Sequence, residues 1–324
     1  MIPTRSRRAI LSANSRRSPF GALGPESSDA SRIGVFVRAI RPRQWLKNGL
    51  VVAAPAAAGV IDRIVPFGRT AATFVIFSAA ASAVYLVNDV VDRESDRVHP
   101  LKRHRPIASG ALPERAAIVA AAVLAALACV AAALLAVALL EIIGTYLVLS
   151  LAYTFGLKRV PLVEMALVAS GFTLRAVAGG AACHVAISPW FLVMTSFGAL
   201  LVVAGKRTSE QAVLGEQQVS HRSSLGAYPR MFMNSVRLIA ISVTVTTYCL
   251  WAFERASHLR PAGQGDDVIW FELSIIPFAL AVLAIELAIE KGRGGEPEEL
   301  ALSDRGLQAF ALIWLVLVGI GVYG

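Results

Sequence analysis

Apolar residues in this chain gather into long, nearly unbroken runs, without the alternation of a half-buried strand or the single stripe of a surface helix. Runs of about 20 apolar residues are long enough to cross roughly 30 Å of hydrocarbon as a helix. They occur near 44–61, 71–91, 114–134, 136–155, 161–181, 188–204, 231–253, 270–289 and 306–323. Backbone polar groups find no water inside a bilayer, so the runs predict helices and not strands. Lys47 and Asn48 interrupt the first run, and the third and fourth are parted only near Ala136. The pattern predicts an all-α, polytopic membrane protein of nine transmembrane helices.

Composition agrees: of 324 residues, 56% are hydrophobic and only 16% charged, outside the range of soluble domains. The polar positions between the runs set the orientation. Of 31 Lys and Arg, four (Arg63, Arg69, Arg255 and Arg260) fall on the far side and Arg175 lies within the fifth run, which leaves 26 on the side of the N-terminus. By the positive-inside rule that side is the cytoplasm, and the expected location is a bacterial inner (plasma) membrane. Residues 1–35, rich in Arg and Ser, are expected to be a disordered basic arm on the anionic inner leaflet, with 36–324 as the transmembrane catalytic domain. A mitochondrial transit segment has the same composition. Cys129, Cys183 and Cys249 lie in apolar runs at no metal-like spacing and read as core residues. The net charge of +9 comes without an aromatic and basic platform, so topology and anionic substrates explain it and nucleic acid does not.

The second run ends in Asn88-Asp89-Val-Val-Asp92-Arg-Glu-Ser-Asp96. On one helix, acids at i, i+3 and i+7 share a face. Three carboxylates beside lipid repel one another and need a shared cation. Hard oxygens with a neighbouring amide suit Mg²⁺, whose other ligands are water and phosphate oxygens. Salt bridges to Arg93 and Arg97 along the same helix are the structural alternative. Lys102, Arg103, His104 and Arg105 follow, then a helix-breaking PIASG. Cations beside an acidic, metal-holding face point to a polyphosphate, with Lys102 and Arg105 on its oxygens. His104 is expected to be a phosphate contact or a bystander.

This motif and the loop after it resemble the first aspartate motif of the UbiA-type membrane prenyltransferase superfamily, and YTFGLKR at 153–159 resembles its Tyr-x-x-x-x-Lys segment, here Tyr153 and Lys158. The resemblance covers about residues 38–324 and implies a nine-helix UbiA-type bundle with a cytoplasm-facing active-site chamber. One feature departs from the pattern. Where the superfamily carries a second Asp-rich motif after the sixth span, this chain has GKRTSE, offering Lys206, Arg207 and Glu210. IRPRQWLKN at 40–48, RAVAGG at 175–180, VVAGKR at 202–207, LWAFER at 250–255 and GEPEELALSDR at 295–305 resemble the superfamily's polyprenyl-phosphate phosphoribosyltransferase branch. That branch implies transfer of 5-phosphoribosyl from 5-phosphoribosyl 1-diphosphate to polyprenyl (decaprenyl) phosphate, with Mg²⁺ and release of diphosphate, for arabinan and cell-wall precursors.

In that frame Asp89 and Asp92 are the expected catalytic metal ligands, joined by Asp96, with Asn88 beside them. Lys206 and Arg207 form an opposing cationic wall, and Arg43 and Lys47 are further phosphate contacts at the first span. Arg175, charged within a span, needs an interior partner, either Glu164 or substrate phosphate. The lipid phosphate is already ionised, so no general base is expected, and attack opposite the leaving diphosphate would invert the anomeric centre. Ser303 and Asp304 are expected to cap the ninth helix. Small-residue faces permit a homo-oligomer without specifying one. Two other readings are prenyl transfer to an aromatic acceptor, which predicts acids where GKRTSE stands, and a membrane transporter, which predicts broken helices in inverted repeats.

Overall fold

The computed structural model describes residues 32–218, 228–259, 268–295 and 297–324, and every regular element among them is helical. The expected N-terminal arm lies outside the described residues except for 32–35, which open helix α1 (Arg32–Ile40). Then come a 3₁₀ segment (Pro42–Val52) and α2 (Ala53–Ala57), α3 (Ile64–Val91), α4 (Arg93–Val98), α5 (Glu114–Leu135), α6 (Val137–Phe155) and α7 (Val163–Cys183). The chain continues through α8 (Pro189–Gln218), α9 (Arg230–Leu259), α10 (Val268–Glu290), α11 (Pro297–Ser303) and α12 (Arg305–Tyr323). Eight helices among the described residues, α3, α5 to α10 and α12, are long and apolar enough to cross a membrane. The protein is a polytopic membrane protein.

The first expected span takes another form. Eleven residues of 3₁₀ helix followed by five of α helix reach about 30 Å, because 3₁₀ rise is about 2.0 Å per residue against 1.5 Å for α. Sixteen residues therefore cover a thickness that α geometry needs about 20 to cross. The polar interruption seen in the sequence is what holds this segment in place. Asn48 is fully buried; its Nδ2 donates to Ser78 Oγ (3.0 Å) and its Oδ1 accepts from Arg175 Nε (2.7 Å). Trp45 Nε1 donates to Ser82 Oγ (3.1 Å). Against α7 the packing is backbone to backbone, since a Cβ at Gly179 would lie 1.7 Å from the carbonyl oxygen of Val51.

Helix α3 is the central pillar and packs on α5, α6, α7 and the 3₁₀ segment. Of its apolar window 61% is buried inside the protein, against 11% for α12, whose surface is left to lipid. The α3 core gathers Ile76, Phe77, Leu139, Ile143 and Tyr146. The parting of α5 from α6 falls at Ala136, whose extended backbone (φ −164°, ψ 138°) ends one helix and begins the next. A second core joins α9, α10 and α12 around Tyr248, whose hydroxyl accepts from Trp314 Nε1 (2.6 Å) and shares a 2.6 Å hydrogen bond with Ser274. Of the expected caps on α12 the structure uses Asp304, which accepts from the Leu307 N–H (3.0 Å). That bond and the neighbouring Arg293 hold the Asp304 carboxyl below its ordinary range.

Candidate active site

The acidic motif sits where α3 stops. Helix geometry ends at Val91, Asp92 takes a bridging conformation (φ −88°, ψ 2°), and α4 restarts at Arg93. The expected single face of three acids is divided. Asp89 and Asp96 are both buried and converge on one guanidinium: Arg105 Nη1 donates to Asp89 Oδ1 (3.1 Å) and to Asp96 Oδ2 (2.5 Å). Asp92 turns away to an ion pair with Lys158. The i→i−4 backbone bonds run on through this point, from Asp92 N to Asn88 O (2.9 Å) and from Asp96 N to Asp92 O (2.8 Å), so Asp89 and Asp96 keep a shared side while the Asp92 side chain is drawn to Lys158. Asn88 stays beside the acids, its Oδ1 accepting from Thr154 Oγ1 at 3.5 Å.

Asp89 has a second cation, one the sequence pattern does not single out. Arg41 Nη2 donates to Asp89 Oδ1 at 2.5 Å, and the guanidinium lies 5.3 Å from the ring centre of Tyr85. Arg41 occupies a left-handed conformation (φ 54°, ψ 62°) between α1 and the 3₁₀ segment, and that turn aims its side chain back into the bundle. Of the expected phosphate contacts at the first span, Arg43 is exposed and Lys47 donates to Gln44 Oε1 (2.7 Å). Nothing in the local sequence separates Arg41 from Arg43 except the proline after it. Lys102 and His104 are exposed on the turn leading to Arg105, and Tyr153 is half-buried at the end of α6.

The opposing wall is charged differently from expectation. Arg207 is buried and held by two carboxylates: Nε and Nη2 fork onto Glu164 at 2.9 and 2.6 Å, and Nη1 reaches Glu210 at 2.8 Å. Arg207 is thus engaged by two carboxylates in this structure. Lys206, half-buried, precedes it. Tyr228 closes the cluster by accepting from the Leu162 N–H (2.7 Å). Burial raises its hydroxyl above the ordinary tyrosine range, and the Glu164 carboxylate adds to this. A neighbouring ion cluster, absent from the sequence reading, joins α9 to α10: buried Arg237 binds Glu286 (3.0 Å) and Glu290, and donates to Thr208 Oγ1 (2.9 Å).

Glu164 is therefore not the partner of Arg175. Arg175 donates to Asn48 Oδ1, to the Gly171 carbonyl (2.5 Å) and to the Tyr146 hydroxyl (3.2 Å), with the rings of Phe77, Tyr146 and Phe172 around its charge. These bonds pin the first span to α7 and α6. From Leu162 a groove of about 450 Å³ runs between α7 and α8, lined by Met165, Ala169, Thr173, Phe197 and Leu200.

No group of three or more His, Cys, Asp and Glu side chains among the described residues surrounds one point. A pair does. The Asp89 and Asp96 oxygens bound to Arg105 Nη1 are at most about 5.6 Å apart. A small cation needs its oxygens at 2.0–2.1 Å, which modest closure of this pair supplies once Arg105 moves aside. Two buried hard carboxylates already facing one positive charge fit a divalent ion.

A helical membrane bundle with paired carboxylates and guanidinium groups at one end is the architecture of an intramembrane transferase acting on phosphorylated substrates. The profile of the UbiA prenyltransferase family matches residues 49–287, and the chain belongs to that family. It is 43% identical over 297 residues to a decaprenyl-phosphate phosphoribosyltransferase of Mycobacterium tuberculosis, covering 90% of this chain and 96% of that one. It is also 43% identical over 295 residues to the protein of the same name from Corynebacterium glutamicum, covering 89% and 86%. The fold is similar to that of a UbiA homolog from Archaeoglobus fulgidus solved with GPP and Mg²⁺ (TM-score 0.63, 16% identity, covering 89% of this chain and 98% of that one).

Proposed function

We propose that this protein moves a 5-phosphoribosyl group from 5-phosphoribosyl 1-diphosphate to decaprenyl phosphate, or a closely related polyprenyl phosphate, on the cytoplasmic face of a bacterial plasma membrane. What carries the reading is the convergence of Asp89 and Asp96 on one positive charge, in a chain 43% identical along nine-tenths of its length to proteins named for that transfer. The replacement of a second acidic motif by Arg207, locked to Glu164, separates it from prenyl transfer.

The reaction balances without a proton carrier. An ionised oxygen of the lipid phosphate attacks the anomeric carbon, and the bond from that carbon to diphosphate breaks, its electron pair leaving with diphosphate. Asp89 and Asp96, with Asp92 nearby, would hold Mg²⁺, which when bound neutralises charge on the departing diphosphate. Arg41 and Arg105 give up their carboxylate partners and turn to phosphate oxygens, so binding exchanges one set of charge-assisted hydrogen bonds for another. Lys102, Tyr153, Lys158 and Lys206 are the further groups assigned to the two phosphates. Glu164 and Glu210 keep Arg207 fixed as part of the wall. The groove between α7 and α8 opens beside Leu162, two residues from Glu164, and offers the prenyl chain an apolar path.

The test is to incubate the purified protein with Mg²⁺, labelled 5-phosphoribosyl 1-diphosphate and decaprenyl phosphate. The expected products are a labelled, acid-labile lipid and an equal amount of diphosphate, with inverted configuration at the anomeric carbon. Failure to form this lipid, with turnover of a prenyl diphosphate on an aromatic acceptor, overturns the reading.

A further inference from the structure

We propose that α1 and the first three turns of α5 form a binding site for one anionic membrane phospholipid, apart from the transfer site. A groove of about 520 Å³ lies between them, lined by Phe36 of α1 and by Arg115, Val119, Val123 and Leu124 of α5, with Ala116 and Ala120 giving it depth. Its chemistry is graded along its length. Arg115 stands in the first turn of α5, and Val119 and Val123 follow at successive i+4 positions below it. From Arg115 to Leu124 the groove descends about 14 Å into the apolar part of the bundle.

At the head of the groove the Arg115 side chain makes no ion pair or hydrogen bond among the described residues, and its neighbour Glu114 is engaged by Arg93. Arg32 stands four residues before Phe36, on the same face of α1, and is exposed. Arg115 over a short apolar channel complements a lipid phosphate with an acyl chain beneath it. A basic side chain near the membrane surface attracts anionic headgroups in this way. The channel is short beside a polyprenyl chain, which favours an ordinary phospholipid over the acceptor. Because α1 leads directly into Arg41, which binds Asp89, an occupied groove would also steady one side of the carboxylate pair.

The site depends on membrane embedding and not on which group is transferred, so it is tested by binding. The full chain in detergent is titrated with phosphatidylglycerol or phosphatidylcholine and the bound lipids are counted by native mass spectrometry. Wild type is expected to retain one phosphatidylglycerol that Arg115→Gln retains only at about fivefold higher lipid concentration, the loss of one cation near the headgroup. Phosphatidylcholine should bind both forms equally weakly. Val123→Trp, which fills the channel and leaves Arg115 in place, should also lose that lipid. Equal phosphatidylglycerol retention by wild type and Arg115→Gln overturns the proposal. So does displacement of the bound lipid by stoichiometric decaprenyl phosphate, which would make the groove an acceptor site, or a dimer that protects the groove, which would make it an interface between copies.

Discussion

Replacing Gly179 by alanine tests how the first span is held and whether the transfer site depends on it. The new methyl would sit 1.7 Å from the Val51 carbonyl oxygen and 3.1 Å from Pro55 Cδ. The span and α7 must separate by at least about 1.3 Å before that contact becomes tolerable. A shift of that size stretches the 2.7 Å bond from Arg175 to Asn48 to about 4 Å, beyond hydrogen-bonding range. Overpacking costs about 1–3 kcal/mol, and a lost hydrogen bond to a charged group about 1.5–3 kcal/mol. Alanine returns about 1 kcal/mol of helix propensity, for a net loss of about 2–5 kcal/mol. Gly144→Ala in α6 is the control, since nothing lies within 4 Å of its added Cβ and only the propensity gain applies. Thermal unfolding in detergent, followed by tryptophan fluorescence, should show Tm several degrees lower for Gly179→Ala and unchanged or higher for Gly144→Ala. Transfer activity measured below Tm should fall for Gly179→Ala alone, because the displaced segment carries Arg41. A Gly179→Ala protein as stable and active as wild type refutes this account of the packing.

Asp89→Asn and Asp96→Asn should each lower kcat/KM by about a hundredfold or more while circular dichroism stays unchanged; full activity at saturating Mg²⁺ in either would remove that carboxylate from the site. Glu164→Ala leaves Arg207 buried without its fork and should cost about 3–5 kcal/mol in stability, whereas Glu164→Leu with Arg207→Met should recover much of it; equal Tm values for the single and double variants would contradict this. Asp304 has a folded pKa below its unfolded value, so its stabilisation is present above the ordinary carboxylate range and lost as pH falls through the folded value. Asp304→Ala should therefore lower Tm more at pH 7 than at pH 3, and a pH-independent difference would count against the cap.

The membrane helices were legible because each is an apolar run long enough to satisfy its own backbone, a property of local sequence alone. Ala136 could be located as a boundary for the same reason. Asp89 and Asp96 were legible from their spacing, but the turn of Asp92 toward Lys158 was not, since that partner lies 66 residues further along the chain. Pairings across the fold were the least accessible. Glu164 and Arg207 are 43 residues apart, and Arg175 lies closer to Glu164 in sequence, so proximity along the chain favoured the wrong partner. The buried Arg237 finds Glu286 and Glu290 49 and 53 residues away, a pairing the apolar run around it does not announce. Arg41 was hidden by Arg43, because only the left-handed turn before Pro42 decides which of the two faces inward.

The 3₁₀ geometry of the first span gives it a length that the same residues in α geometry would lack. Rewinding Pro42–Val52 at α pitch would shorten it by about 5.5 Å, close to one full turn. Asn48 is clamped to Ser78 and Arg175, so only the six residues between it and Arg41 could slide at that end, a travel of roughly 3 Å. That distance is enough to part Arg41 from the carboxylate it touches. Because α1 is continuous with Arg41, rewinding this segment would carry α1 with it and withdraw that guanidinium from the acids.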